Sequence, residues 1–303
     1  MFILLRTWLY YSILKGINFM LVIDLNGENV TSVKTFEFSS GCEPHVKLNM
    51  DAINSIDWCN RPIEVKLKCK IRNCNDIFKI LLATDALKRI GVKYIDLFIP
   101  YVPFARQDRV MVDGEPLSIK VFADIINAQN YNSVTFFDAH SDVTPALINN
   151  SINRSNSALV KQAISYYKSD NYLIVSPDSG AFKKIYALCE RIGYTDHIVL
   201  CNKHRNVTNG QIDGIICDTD DFEGKELFIV DDICDGGGTF VLLAEELRKR
   251  NCGRINLIVT HGIFSKGIEA LHNIDHVFTS DSINSYDTMI GGKLKVFKIS
   301  SFD

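Results

Sequence analysis

Short apolar runs that alternate with amphipathic segments are the feature that most constrains how this chain can fold. Runs such as VKYIDLFIP, NYLIVSPD and INLIVT lie between helical patterns such as FKKIYALCERIG and GTFVLLAEELRKRNC. Near-continuous apolar strands are typical of parallel sheets whose two faces are both covered by helices. The alternation therefore predicts βαβ units and the α/β class.

The length of 303 residues and the hydrophobic content of 47% are sufficient for two cores of ordinary size. The polar start of the segment NRSNSALVKQAISYYKSDN predicts a domain boundary near residue 155. We expect a first domain over residues 20–155 and a second over 156–303. The last strand would either stay in the second domain or return to the first.

The first 19 residues are strongly apolar, but Arg6 and Lys15 interrupt the run and no small-residue cleavage site follows. Met20 stands directly before LVIDL, a strand-like segment. We interpret residues 1–19 as an apolar leader that was added or mis-started ahead of the fold. The pattern predicts neither a signal peptide nor a membrane anchor.

The charge balance and the cysteines indicate where such a protein works. A net charge of -3, from 33 basic and 36 acidic residues, gives no general attraction to nucleic acid or to an anionic membrane. The nine cysteines form neither CxxC pairs nor clusters with histidine. We therefore expect a soluble cytoplasmic protein with free thiols, whose phosphate binding is local.

Ligands of parallel sheets bind where strands end and loops lead into helices. The most informative such loop follows LFIVDD, where ICDGGGT opens a helix. Its glycines can adopt positive φ and let backbone N–H groups converge on an anion, while the paired acids suit sugar hydroxyls. A glycine turn with an acidic N-cap is the competing interpretation.

This loop resembles the phosphoribosyl pyrophosphate motif, a hydrophobic strand followed by DD-x-x-D-x-G-G-T. The motif is shared by phosphoribosyltransferases and phosphoribosyl pyrophosphate synthetases. The resemblance implies two phosphoribosyltransferase-like domains, each a mainly parallel sheet flanked by helices. It also implies that ribose 5-phosphate binds to Asp231, Asp232, Asp235, Gly236, Gly237, Gly238 and Thr239.

FARQDR, residues 104–109, resembles the ATP-binding YARQDR segment of the synthetases. Arg106, Gln107 and Arg109 would bind ATP, because guanidinium groups offer fixed donors to a polyphosphate. SSGCE stands where the family has an SDGE-like turn that completes a neighbouring ATP site, so Phe38 and Glu43 carry over. A homo-oligomer is therefore implied. A solvated basic turn remains the alternative.

Two further segments carry the metal site that the resemblance implies. FDAHSD resembles DLHA, which makes His140 a ligand of the Mg2+ bound to ATP. SPDSG resembles SPDxGG, which places Asp178 at the same metal and ribose site. A satisfied core histidine and an ordinary helix N-cap are the structural alternatives.

LCNKHRN resembles the DKRR segment that begins the catalytic loop of the synthetases. Lys203 and Arg205 take its two basic positions, where they would stabilise charge on the transferred group. A solvated face explains KHR equally well when the motif is taken alone.

The resemblance runs from about residue 21 to residue 300 with its motifs in order. It implies a ribose-phosphate diphosphokinase that uses Mg2+ to move pyrophosphate from ATP to O1 of ribose 5-phosphate. One alternative is a phosphoribosyltransferase, which has no need of FARQDR and DAHSD in a separate domain. The other is a regulatory subunit without turnover, which tends to lose the basic or acidic pair that this chain keeps.

Overall fold

The computed structural model describes residues 20–26, 33–38, 41–54, 64–166, 168, 170–205, 212–284 and 292–301. For residues 203–205, 212–213 and 301 it describes the backbone alone. The apolar leader expected at residues 1–19 lies outside these ranges.

The first α/β unit is built on a sheet of five parallel strands. Its strands are β1 (Leu21–Asp24), β4 (Glu64–Lys68), β5 (Tyr94–Phe98), β6 (Ser133–Phe137) and β7 (Ser151–Arg154), in that spatial order. Its helices are α1 (Met50–Asn54), α2 (Cys74–Arg89), α3 (Ser118–Asn127) and α4 (Val143–Leu147). A separate antiparallel hairpin is formed by β2 (Val33–Phe38) and β3 (Glu43–Leu48).

The second α/β unit is built on a sheet of seven strands. These are β8 (Tyr172–Ser176), β9 (Ile198–Arg205), β10 (Ile212–Cys217), β11 (Glu226–Cys234), β12 (Ile255–Gly262), β13 (His276–Ser280) and β14 (Leu294–Phe297). Their order is β10-β9-β8-β11-β12-β13-β14, and β9 with β10 is the antiparallel pair. The helices are α5 (Ser157–Tyr166), α6 (Ser179–Ile192) and α7 (Gly238–Arg248), with short 3-10 turns at Ile268–Ala270 and Ile299–Ser301.

The central strand β11 shows why the second sheet is covered on both faces. Successive side chains of a strand point to opposite faces. Leu227 and Ile229 belong to one hydrophobic cluster, whereas Phe228 and Val230 belong to another. All four are at most 1% exposed, and full burial of a side chain this size contributes about 1.5–3 kcal/mol. The α/β class predicted from the apolar runs is confirmed.

The chain crosses from one unit to the other between Arg154, the last residue of β7, and Ser157, the first of α5. The domain boundary expected near residue 155 stays a prediction. The last strand, β14, pairs in parallel with β13 of the second sheet rather than returning to the first. After β14 the chain reaches the first sheet again. There Ile299 packs against Phe98 and Phe137, which lie at the ends of two strands.

Hydrogen bonds across the boundary place the ends of β6 and β12 side by side. Nε2 of His261 lies 3.1 Å from the carbonyl oxygen of Phe137, and its Nδ1 lies 2.9 Å from Oγ of Ser282. Because a carbonyl oxygen only accepts, the Nε2–H donates. An ion pair of 2.8 Å between Lys70 and Asp281 adds a second connection. The carboxyl edges of the two sheets therefore face each other.

Candidate active site

His140 and Asp232 join the two carboxyl edges directly. Nδ1 of His140, in the loop after β6, lies 2.8 Å from Oδ2 of Asp232, near the end of β11. Burial by itself would raise the pKa of Asp232, but the hydrogen bond from His140 and the charge of Lys184 outweigh it and lower that pKa to about 2. The same hydrogen bond raises the pKa of His140. The pair is a charge-assisted contact between an ionised carboxylate and the imidazole.

The neighbouring acid, Asp231, has a different environment. Its Oδ1 accepts a hydrogen bond of 2.8 Å from the backbone N–H of Asp232. Burial first, and the charge of Asp232 second, raise its pKa well above the ordinary value. The two adjacent carboxyl groups, which the sequence pattern treats alike, are thus held by different partners.

The glycine-rich loop adopts the left-handed turn that its sequence predicts. Gly237 has φ 74° and precedes the first residue of α7. A Cβ at this position would overlap the side chain of Leu271, which would have to shift, and the positive φ adds strain for any residue other than glycine. Lys266 covers the other side of the loop, since a Cβ on Gly236 would lie 3.4 Å from Cε of this lysine. The N-terminus of α7 and a cation therefore flank the same loop, which suits an anion.

Arg106 reaches this loop from the first unit. Its Nη1 lies 3.1 Å from Oδ2 of Asp235. Ser265 and then Arg106, through hydrogen bonds, lower the pKa of Asp235. The expected ATP segment and the expected sugar-phosphate loop are therefore brought into contact.

The remaining residues of FARQDR form a turn beside the loop that carries His140. The backbone N–H of Gln107 donates to the carbonyl oxygen of Phe104 at 3.0 Å, and Phe104 itself has φ 65°. Asp108 hydrogen-bonds to Ser141, next to His140, while Nε of Arg109 lies 3.4 Å from Oδ1 of Asp108. The Arg109 side chain is 74% exposed and thus accessible to a ligand.

Phe38 and Glu43 lie apart from this group, at the end of the β2–β3 hairpin. They are directly paired across the two strands. The ring of Phe38 contacts those of Phe36 and His45, with centroids 5.4 and 5.5 Å away. The ring of Phe38 is half exposed. Within the described ranges, the contacts of Phe38 are with its own hairpin and not with the FARQDR turn.

Asp178 caps helix α6. Its Oδ1 accepts a hydrogen bond of 3.0 Å from the backbone N–H of Ala181, which is the N-cap role that the sequence left open. Its charge also contributes to raising the pKa of Asp231, so the ends of β8 and β11 are close in space. The metal role of Asp178 stays a prediction.

Lys203 and Arg205 belong to strand β9, where they are paired with Ile215 and Ile212 of β10. Their side chains lie outside the described part of the chain, as do residues 206–211. Their catalytic role also stays a prediction.

Asp138 is the site residue that sequence reasoning missed. Its carboxylate, which is 3% exposed, accepts from Lys184 at 2.7 Å, from Asn156 at 2.9 Å and from Thr260. These three partners come from α6, from the start of α5 and from β12, so no local pattern reveals them. The only available signal was that Asp138 belongs to FDAHSD, two residues before His140.

None of the helices in the described ranges combines the length and the apolar character that crossing a bilayer requires. The eight cysteines in these ranges are free thiols. Two α/β units that meet at their carboxyl edges, with an acid pair leading into a glycine-rich helix N-terminus, define a protein of the phosphoribosyltransferase-like class.

Comparison with known proteins narrows this class. Residues 65–129 match the N-terminal domain of ribose phosphate pyrophosphokinase, and residues 147–293 match the phosphoribosyl transferase domain. The chain is 31% identical to ribose-phosphate pyrophosphokinase of Mycoplasmopsis pulmonis, over 75% of this chain and 70% of that protein. It is 32% identical to the Aquifex aeolicus protein of the same name, over 75% and 73%.

A solved structure shares the fold over nearly the whole chain. The crystal structure of phosphoribosylpyrophosphate synthetase from Mycobacterium smegmatis superimposes with a TM-score of 0.78, at 21% identity, covering 94% of this chain and 96% of that one. The present chain belongs to the ribose-phosphate pyrophosphokinase family, and it is an enzyme of the transferase class.

Proposed function

We propose that this enzyme transfers the pyrophosphoryl group of ATP to O1 of ribose 5-phosphate, which gives 5-phosphoribosyl 1-pyrophosphate and AMP. The observation that carries the proposal is the 3.1 Å contact between Arg106 and Asp235. It brings the ARQDR segment and the DDICDGGGT loop to one edge, as a reaction between their two ligands requires.

Ribose 5-phosphate binds at the end of β11. The phosphate lies on the loop from Asp235 to Thr239, where the N-terminus of α7 supplies backbone donors. Lys266, which covers Gly236, adds a positive charge on the same side. The sugar hydroxyls lie on Asp231 and Asp232.

ATP binds on Arg106, Gln107 and Arg109, which offer two guanidinium groups and an amide. Phe38 and Glu43 come from a neighbouring subunit. The end of their hairpin is exposed, with the Phe38 side chain 50% exposed, and the described ring contacts of Phe38 are with the hairpin itself. The proposal therefore includes a homo-oligomer in which one copy completes the ATP site of another.

The residues near His140 fit a magnesium ion that arrives with ATP. No group of three or more His, Cys, Asp or Glu in the described ranges forms a protein-only metal site. Mg2+ typically binds one or two protein groups and takes its other ligands from phosphates and water. The hydrogen bond from Nδ1 of His140 to Asp232 orients the ring and presents Nε2 as a ligand. His140 and Asp178 would hold the ion, which would neutralise phosphate charge.

The chain's own residues position the two substrates and stabilise charge. O1 of the sugar attacks the β-phosphorus in line and loses its proton to water, the bond from the β-phosphorus to the oxygen shared with the α-phosphorus breaks, and AMP leaves with that oxygen. Lys203 and Arg205 stabilise the negative charge on the transferred and leaving oxygens. Free thiols in the described ranges suit a reducing cytoplasm, where we place the enzyme.

The test is the identity of the nucleotide product. Purified enzyme is incubated with ATP, ribose 5-phosphate and Mg2+, and nucleotides are separated by chromatography. AMP and the pyrophosphorylated sugar should appear in equal amounts, and neither should appear when ribose 5-phosphate is omitted. Stoichiometric ADP would contradict pyrophosphoryl transfer. Absence of any product, with the substrates still bound, would favour a regulatory subunit.

A further inference from the structure

Lys184 is a charged residue of helix α6 that none of the motifs includes. Its Nζ lies 2.7 Å from Oδ1 of Asp138 and donates a hydrogen bond of 2.9 Å to the carbonyl oxygen of Ala139. Asp138 and Ala139 immediately precede His140. Lys184 therefore joins a helix of the second unit to the loop of the first unit that carries His140.

Asp138 has a strained backbone and a buried carboxylate that needs a cation beside it. Its φ is 45°, in the left-handed region that a non-glycine residue adopts at a cost. Its Oδ2 accepts from Nδ2 of Asn156 at 2.9 Å and from Oγ1 of Thr260. Neither of these partners carries a charge, so Lys184 is the cation that compensates this buried carboxylate.

The same helix begins at Asp178, whose side chain caps its first turn. A rigid helix with Asp178 at its start and Lys184 further along therefore holds the His140 loop at a fixed position relative to Asp178. In other metalloproteins, residues that hydrogen-bond to metal ligands orient those ligands. Loss of such a residue typically lowers metal affinity 10–100-fold.

We propose that Lys184 is a positioning residue that sets the separation of His140 and Asp178, and thereby the affinity for MgATP. It acts through Asp138 and Ala139. This inference rests on the proposed function for the identity of the ligand, but it concerns binding and not turnover.

The experiment measures MgATP affinity by calorimetry on purified protein without ribose 5-phosphate. Lys184→Met removes the charge and keeps the length of the side chain. We expect the Kd for MgATP to rise about tenfold or more, while the Kd for ribose 5-phosphate changes less than threefold. Lys184→Arg, which keeps the cation, should bind MgATP within about threefold of wild type. Lys183→Met is the matched control, because Lys183 is exposed on the same helix, and its Kd should be unchanged.

Loss of Lys184 leaves the buried Asp138 carboxylate without its cation and can prevent folding, so a double variant completes the design. Asp138→Asn with Lys184→Met leaves no uncompensated charge at position 138 and should fold, while MgATP affinity stays about tenfold reduced. A folded double variant with wild-type affinity for MgATP would overturn the proposal. Equal losses of affinity for MgATP and ribose 5-phosphate would do the same, since they indicate general distortion of the site.

Asp138→Asn alone separates positioning from direct binding. If Lys184 itself bound the ATP phosphates, release from Asp138 would leave MgATP affinity unchanged or raise it, and the proposal would be wrong. Positioning requires that this variant also bind MgATP more weakly. Failure of wild type to form AMP, with these affinity differences present, would contradict the proposed function and leave the role of Lys184 supported.

Discussion

The hydrogen bond of 2.8 Å between Nδ1 of His140 and Oδ2 of Asp232 separates the roles of two adjacent acids. Asp232 holds the residue proposed to bind the metal of MgATP. Asp231 instead accepts the backbone N–H of Asp232. The resemblance implies that both carboxylates bind the sugar, but Asp232 already contacts His140, so the two acids should contribute differently to binding.

Asparagine substitutions at these two positions should therefore differ. Asp231→Asn should raise the KM for ribose 5-phosphate about two- to tenfold and leave the KM for ATP within about twofold, because the amide replaces one carboxyl oxygen and an ordinary hydrogen bond contributes roughly 0.5–1.5 kcal/mol. Asp232→Asn should raise both KM values, since the His140 ring loses its charged acceptor. Initial rates over a grid of both substrates measure this. Identical KM profiles for the two variants would contradict the assignment.

Gly237→Ala should destabilise the protein. An alanine would keep φ 74° at a cost of about 1–2 kcal/mol, and its Cβ would overlap Leu271, which adds about 1–3 kcal/mol. We expect the free energy of unfolding in urea to fall by about 2–5 kcal/mol. Gly238→Ala is the control, because its added Cβ would meet no atom within 4 Å beyond the adjacent residues and its own helix backbone, and its stability should stay within about 0.5 kcal/mol of wild type.

Lys203→Ala should lower kcat by about a hundredfold or more with little change in either KM. Loss of a preorganised donor used mainly in the transition state costs roughly 2.7–4 kcal/mol. Steady-state kinetics at saturating Mg2+ would measure the two parameters separately. A variant with near-normal kcat would instead support the alternative interpretation, in which Lys203 is a solvated surface residue without a catalytic role.

Stability should depend on pH through His261. Burial lowers the pKa of this imidazole below its ordinary value of 6.5. The unfolded state therefore binds a proton first as the pH falls below about 6.5, and the folded state loses stability toward acid. His140, whose pKa is raised, contributes with the opposite sign, since its stabilisation is lost as the pH rises through that value.

The contribution of His261 is isolated by comparing thermal midpoints of wild type and His261→Gln between pH 5 and pH 8. The variant should lose less stability than wild type on acidification below about pH 6.5, whatever its stability at neutral pH. Parallel profiles for the two proteins would show that protonation of His261 is not coupled to unfolding.

Local patterns predicted the features that depend on neighbouring residues. The left-handed turn at Gly237 follows from three consecutive glycines before a helix, and the cap at Asp178 is the alternative that SPDSG left open beside a metal role. The fold class followed from strands buried on both faces. In each case the residues that determine the structure lie within a few positions of each other in the sequence. Their side-chain chemistry and their backbone preferences favour the same local structure, so a short motif is enough to predict it.

The Asp138 network could not be predicted in this way. Its members, Asp138, Asn156, Lys184 and Thr260, are brought together by the packing of one sheet against the other. The different environments of Asp231 and Asp232 have the same origin, because His140 comes from the other unit. The resemblance to a family predicted the ligand classes, whereas the partners of each carboxylate required the tertiary structure.

The ion pair between Arg106 and Asp235 couples the binding of the two substrates. Under the proposed function, each residue occupies a position that a substrate needs, so whichever substrate binds first releases a partner for the second. The two binding equilibria are then thermodynamically linked, and the coupling is the same in both directions. Both side chains are more than a third exposed, and such a pair contributes about 1 kcal/mol at most. Synergy between ATP and ribose 5-phosphate that arises from this contact is therefore limited to about fivefold.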